Sequence, residues 1–494
     1  MRQLDSFPGG LVLDGQKQRS TELAIRQAPL SKVLVLPLQQ HIGEASIPTV
    51  SVGDYVLKGQ VIALANGHVS VNLHAPSSGH ITAIDDQAIP HPSGLSASCI
   101  SIETDGKEQW TALSPVGDYQ VLSAHDLRQH IRYAGIVGLG GAGFPSFIKL
   151  NPGIHHFVDT LILNGVECEP YITCDDMLMR ERADGILDGL AIMRHAIKAK
   201  TSVIAIEDNK PQAIAAMQAA LSQHPIHNDT ELVIVPTRYP TGSEKQLIQV
   251  LTHQQVPNNK LPIDIGIVMH NVGTAYAIGR AINYGEPLIS RIVTITGDNV
   301  KNAGNIETLF GSPIRDLLNF CETKWQAPSQ LIMGGPMMGY QLSSSYLPIT
   351  KTANCIISGV DNAAPEPTPM PCIRCGDCAT ACPVNLLPQQ IYWHARAKDL
   401  EKTSEYNLFD CIECGCCNYV CPSEIPLVQY FRFAKTETMN QEQERQRSDV
   451  ARVRHENRQT RQNMEKREKE LRQQQRKAAL AASQAAKQAD KETS

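Results

Sequence analysis

Apolar and polar positions change rhythm several times along this chain. Residues 30–100 are rich in Val, Ile and Gly, in short alternating runs broken by turn signals, which predicts a small all-β module. Over 125–287, apolar runs alternate with stretches of helical spacing, which predicts an α/β domain. Segments 157–163, 202–207 and 231–235 are its expected buried strands; 125–133, 175–198 and 211–223 are its expected helices. Residues 288–350, with the strand-like run 291–297 and the turn Gly334-Gly335-Pro336, predict a small β-grasp-like domain. Four prolines in 363–371 predict a stiff linker into a segment, 363–432, in which 387–401 is spaced like a helix. From 435 to 494 the chain is Gln, Glu, Arg, Lys and Ala with almost no large apolar residues, which predicts a charged tail, helical or disordered.

Length and charge sharpen this outline. At 494 residues the chain suits several domains of about 100–200 residues each. Its formal charge of −5 is uneven: residues 435–494 hold 15 Lys and Arg against 10 Asp and Glu, leaving −10 on the body. That balance excludes a nucleic-acid binder of the usual basic kind, while the tail suits anionic lipid or an acidic partner. No run approaches the roughly 18 apolar residues of a spanning helix, and residues 1–10 lack an apolar core behind a basic start. The expectation is a protein with no membrane span of its own and no signal peptide, peripheral if it acts at a membrane.

The cysteines carry the first chemistry. Cys372-x2-Cys375-x2-Cys378-x3-Cys382-Pro383 recurs, residue for residue in spacing, as Cys411-x2-Cys414-x2-Cys417-x3-Cys421-Pro422. Three thiolates at intervals of three wrap a cubane cluster, and the fourth cysteine of each run ligates the other cluster. The expected ligand sets for two [4Fe-4S] clusters are therefore Cys372, Cys375, Cys378 and Cys421, and Cys411, Cys414, Cys417 and Cys382. Zinc is the alternative, since four thiolates also suit a tetrahedral ion, although structural zinc pairs two C-x2-C knuckles more often than continuous runs. Thiolate ligands require a reducing compartment. Of the remaining six cysteines, Cys99, Cys168, Cys174, Cys321 and Cys355 read as core or site-lining thiols, and Cys416, off the spacing, as a free thiol.

Two loops supply candidate cofactor contacts. The segment 135–145 contains Gly138, Gly140, Gly141 and Gly143, whose backbone amides could converge on a phosphate. It follows a helix-like stretch, whereas the dinucleotide fingerprint follows a strand. Downstream, the apolar run ending at Asn164 leads into Glu167-Cys168-Glu169, a loop at the carboxyl end of a strand, where open α/β sheets bind ligands. Neither loop alone separates a cofactor site from a tight turn and a solvated acidic turn.

Resemblances narrow the choice. Residues 52–62 and 74–79 resemble the barrel-sandwich fold of lipoyl and biotinyl domains, but the hairpin where such a carrier presents its modified lysine holds Gly67-His68, so a structural or docking module is expected. The glycine and acidic loops, with 239–244 and 270–274, are similar in order to four motifs of the NADH- and flavin-binding subunit of respiratory complex I. That resemblance implies noncovalent FMN, NADH as substrate, and contacts from Gly138, Gly140, Gly141, Gly143, Lys149, Asn164, Glu167, Glu169, Gly242, Glu244, Asn271 and Thr274. Leu139, Val166, Ser243, His270 and Gly273 depart from those motifs at polar positions, which leaves a second reading open: an electron wire and docking subunit whose flavin site is vestigial. The whole order of modules resembles the RnfC family, one component of the Rnf ion-translocating oxidoreductases. It implies a multidomain α/β protein that passes electrons from NADH through FMN and two clusters. Its implied setting is a complex of integral-membrane subunits on the cytoplasmic face of the bacterial inner membrane, which couples NADH and ferredoxin to ion translocation.

Overall fold

The computed structural model describes residues 3–153, 156–258, 260–324, 331–359 and 368–492, with side chains to 485. It forms two compact units, Met1–Gln389 with Phe409–Val428, and Gln390–Leu408 with Gln429–Ser494. Most of the linker expected at 363–371 lies outside the described residues.

In the first unit, residues 33–104 form a barrel sandwich. One antiparallel sheet orders its strands Val33–Pro37, Ser96–Thr104, Gly79–Ala88 and Tyr55–Val56; the other orders Ile47–Pro48, Val61–Leu64 and Leu73–His74. Alternation explains the core: Leu34, Leu36, Ile62, Ile81, Ile100 and Ile102 bury completely between the sheets. The exposed Gly67-His68 hairpin is tied down, with Arg132 donating to the Gly67 carbonyl at 2.5 Å and the His68 ring 6.2 Å from that of Phe147.

The α/β domain is an all-parallel sheet in the order Thr230–Val235, Thr201–Glu207, Thr160–Gly165, Ile267–Asn271. Leu161 and Leu163 pack with the helices Ala183–Ile197 and Val272–Tyr284. Ile162 packs on the opposite face with Leu247, Ile248 and Leu251 of the helix Glu244–Thr252. A sheet covered on both faces explains why its strands read as unbroken apolar runs. The expected helix at 175–198 is two helices, Cys174–Glu181 and Ala183–Ile197, broken at Arg182. Strand Thr160–Gly165 has its sequence successors on opposite sides, so the topological switch point falls at its carboxyl end.

A six-stranded mixed sheet follows, ordered Arg26–Gln27, Gly304–Leu309, Ser290–Thr296, Cys355–Ser358, Leu331–Met333, Tyr340–Gln341. Two of these strands come from outside the expected 288–350 segment. The cysteine runs share one backbone form. Arg374 and Glu413, then Gly376 and Gly415, take left-handed φ at matching positions before the short helices Asp377–Thr380 and Cys416–Tyr419.

In the second unit, Leu400–Glu405 is helical, and the Tyr392 and Tyr430 rings meet edge to face at 4.9 Å. The chain then runs in a helix, Leu427–Glu492, exposed at every described side chain from Gln441 onward. Ala, Glu, Lys, Arg and Gln are strong helix formers, so the tail's two alternatives resolve to helix. No helix among the described residues is long and apolar enough to cross a membrane.

Candidate flavin cavity and cysteine cluster

The carboxyl ends of Thr160–Gly165 and Ile267–Asn271 converge with the glycine loop on a cavity of about 380 Å³. Ten of the twelve candidate cofactor residues line it: Gly138, Gly140, Lys149, Asn164, Glu167, Glu169, Gly242, Glu244, Asn271 and Thr274. Gly141 and Gly143 do not. Both have positive φ, and Gly143 instead packs on Thr352 and on the Gln40–His41 backbone, so they shape the loop.

Local bonds fix the wall. Gly138 N–H donates to the Phe144 carbonyl at 2.8 Å, folding the glycine loop on itself, and Leu139 N–H donates to Thr274 Oγ1 at 2.9 Å. Asn271 Oδ1 caps the helix Val272–Tyr284 by accepting from Gly273 N–H, while its Nδ2 donates to Asp175 Oδ2 at 2.6 Å. Asn164 Nδ2 donates to the Gly242 carbonyl, and Lys149 pairs with Glu244 at 2.5 Å. At Gly242 a Cβ would lie 2.7 Å from the Val166 carbonyl, and at Gly140 3.3 Å from Asn271, so both positions demand glycine or a close fit.

The acidic loop is held from within. Glu167 Oε1 accepts from Asp175 N–H at 3.0 Å, and Glu169 Oε1 accepts from Met337 and Met338 N–H at 2.9 and 2.7 Å. From the N-terminal arm, Lys17 Nζ donates to the carbonyls of Glu167, Glu169 and Ile172 at 2.7, 2.8 and 2.6 Å. Beneath it, the buried Lys210 pairs with Glu207. Burial raises both Glu167 and Glu169 above the usual carboxylate range, opposed at each by Lys17. Burial and then Glu167 push Asp175 up to about 7.

Two observations test the cavity against a flavin. Ser146 Oγ and His270 Nε2 are buried in the wall without a partner among the described residues. Burial and then Lys149 push His270 down to about 3, so its ring is neutral. Unpaired groups of this kind, beside glycines and mixed polar donors, suit a polar ring system carrying a phosphate. A neighbouring cavity of about 480 Å³ meets this one at Leu139 and Asp175. Of its four cations, Lys58, Arg182 and Arg280 pair with Glu108, Glu307 and Glu286, and Arg291 donates to the Lys351 and Leu139 carbonyls.

Ile412 and Cys414 also line the candidate flavin cavity. Cys414, Cys417 and Cys382 are buried and Cys411 is partly so; in the other expected set, Cys375 is exposed. Burial, then Cys375 and Cys421, raise the Cys378 thiol; burial, then Cys411, Cys414, Cys382 and Cys378, raise that of Cys417. The thiols of the two runs thus act on one another electrostatically. Among the described residues, the donor set converging within 4.8 Å is Glu167, Cys174 and Asp175, and no three cluster cysteines come that close. Cys99, Cys174, Cys321 and Cys355 are buried, and Cys168 lines the cavity. Lys17, Asp175 and Ser146 belong to the site yet carry no sequence signal beyond being polar near it.

Comparison with known proteins bears on the same segments. Residues 131–280 match the Nuo51 FMN-binding domain, 5–107 the RnfC barrel sandwich hybrid domain and 371–425 a 4Fe-4S dicluster domain. The C subunit of the ion-translocating oxidoreductase complex from Pseudomonas aeruginosa is 50% identical over 462 residues, 93% of this chain and 59% of that protein. The Serratia proteamaculans protein of that name is 48% identical over 91% of this chain and 63% of its own length. That of Yersinia pestis bv. Antiqua is 47% identical over 94% and 74%. The chain thus spans 59–63% of the first two relatives. An NAD+-reducing [NiFe]-hydrogenase in the H2-reduced state is similar over 62% of this chain and 61% of that one, at 19% identity and a TM-score of 0.44.

Proposed function

The chain belongs to the RnfC family of ion-translocating oxidoreductase subunits, and on that premise we propose that it is the electron-input subunit of a membrane complex coupling NADH and ferredoxin to ion translocation. One observation carries the reading: a single cavity is walled by the glycine loop, the acidic loop and Cys414, an expected cluster ligand. FMN bound there would supply the exchange between hydride chemistry with NADH and single-electron chemistry with iron–sulfur clusters. The chain's own residues do the rest. Gly138, Gly140 and Lys149 would hold the phosphate end, and Asn164, Glu244, Asn271 and Thr274 would frame the ring. Ser146 and His270 would offer it their free hydrogen-bonding groups. Glu167 and Glu169 keep the acidic loop in shape through backbone amides rather than reaching outward. Tyr239 and Ile412 line the cavity beside Cys414.

Two [4Fe-4S] clusters fit the crossed sets. A cluster held by Cys411, Cys414, Cys417 and Cys382 would be the one next to the flavin, because Cys414 walls the cavity. One held by Cys372, Cys375, Cys378 and Cys421 would offer the exit, at the exposed Cys375. The receivers in this reading are integral-membrane subunits, with this chain peripheral on the cytoplasmic face of the bacterial inner membrane.

The rival reading, a cluster-bearing wire and docking subunit with a vestigial flavin site, draws support from Glu167 and Glu169, whose carboxylates already have protein partners. Anaerobic addition of NADH to the chain reconstituted with iron, sulfide and FMN separates the two. Bleaching of flavin and then of cluster absorbance is expected. Full iron with little FMN retained and no bleaching would favour the wire.

A further inference from the structure

Tyr239 stands between the two candidate redox centres. Its ring lines the flavin cavity, it is 3% exposed, and its hydroxyl donates to the Cys414 carbonyl at 2.5 Å. Its backbone pairs in both directions with Leu11 at 2.8 Å, and it packs with Ala381, Cys414 and Cys416. At the next residue, a Cβ on Gly415 would lie 2.7 Å from the Met337 carbonyl, so the loop is closely packed there too. The bond is made to the carbonyl of the peptide whose N–H belongs to Gly415. A hydrogen bond to the backbone of a ligand cysteine draws electron density from it, and hydrogen bonds around cluster ligands raise the reduction potential by stabilising the added negative charge.

We propose that Tyr239 is a positioning residue that fixes the Cys414 loop against the flavin cavity and raises the reduction potential of the cluster held by Cys411, Cys414, Cys417 and Cys382. The proposal rests on the electron-input reading for its role in catalysis, but not for its effect on the cluster. The step it governs moves one electron from reduced flavin to oxidised cluster, with no bond made or broken.

The test is Tyr239→Phe in the full chain, reconstituted with iron, sulfide and FMN. Iron and FMN contents are expected to match the parent. In an electron paramagnetic resonance titration with a chemical reductant, one cluster should move to lower potential while the other stays. Anaerobic mixing with NADH should reduce the flavin at the parent rate and the clusters about fivefold more slowly, the worth of one net hydrogen bond. A ring-fluorinated tyrosine at position 239, a stronger donor in the same shape, should raise the potential of that cluster, and it serves if Tyr239→Phe does not fold. Unchanged potentials in both variants, or equal shifts of both clusters, overturn the proposal. If NADH reduces neither protein, the electron-input reading fails while the titration still decides the role of Tyr239.

Discussion

At Lys17 one ammonium satisfies three carbonyls of a loop far away in sequence, and nothing in the motifs points to it. Lys17→Met leaves those carbonyls unpaired, and a loss of about 3 kcal/mol in stability is expected from calorimetry, with FMN bound more weakly in fluorescence titration. Glu169→Gln should lower FMN content with iron unchanged, because an amide oxygen accepts less strongly from Met337 and Met338 N–H. Asp175 sets a pH dependence. Its folded pKa of about 7 lies above the ordinary 3.8, so its stabilising contribution is complete below about pH 4 and fades as pH rises toward 7. Thermal melts of the flavin-free chain across that window should show the fade, and Asp175→Asn should flatten it. Burial and Glu167 together cause the shift, so the fade belongs to the pair.

Among elements, the parallel strands and the helices around them are legible because a covered sheet writes continuous apolar runs into the sequence. The strand Arg26–Gln27 is not, since two residues have no periodicity to read. The break at Arg182 is hidden for the opposite reason: helical spacing runs through it. Candidate site residues gather where the strands end, but two of the glycines do not belong with them. Gly141 and Gly143 serve the turn, because left-handed φ and phosphate approach leave the same mark in sequence. The repeated cysteine spacing is the most legible element, and its crossing is testable. Cys421→Ser should remove the cluster shared with Cys372, Cys375 and Cys378, leaving about half the iron and one resonance signal.

Across the whole molecule, the tail contributes least to the candidate sites. Truncation after Asn440 is expected to leave iron, FMN and the melting temperature unchanged, since every described side chain beyond it is exposed. The N-terminal arm is its opposite. Gly10 N–H bonds to the Ala381 carbonyl in the first cysteine run, Lys17 pins the acidic loop, and Arg26–Gln27 edges a sheet completed by Cys355–Ser358. Residues of this arm must therefore wait for partners far downstream in sequence before they pair. Contacts so distant in sequence close late and slowly, exposing the unpaired arm in the meantime. For a chain synthesised from its N-terminus, metal loading of the cysteine runs and closure of the arm become neighbouring late events in maturation.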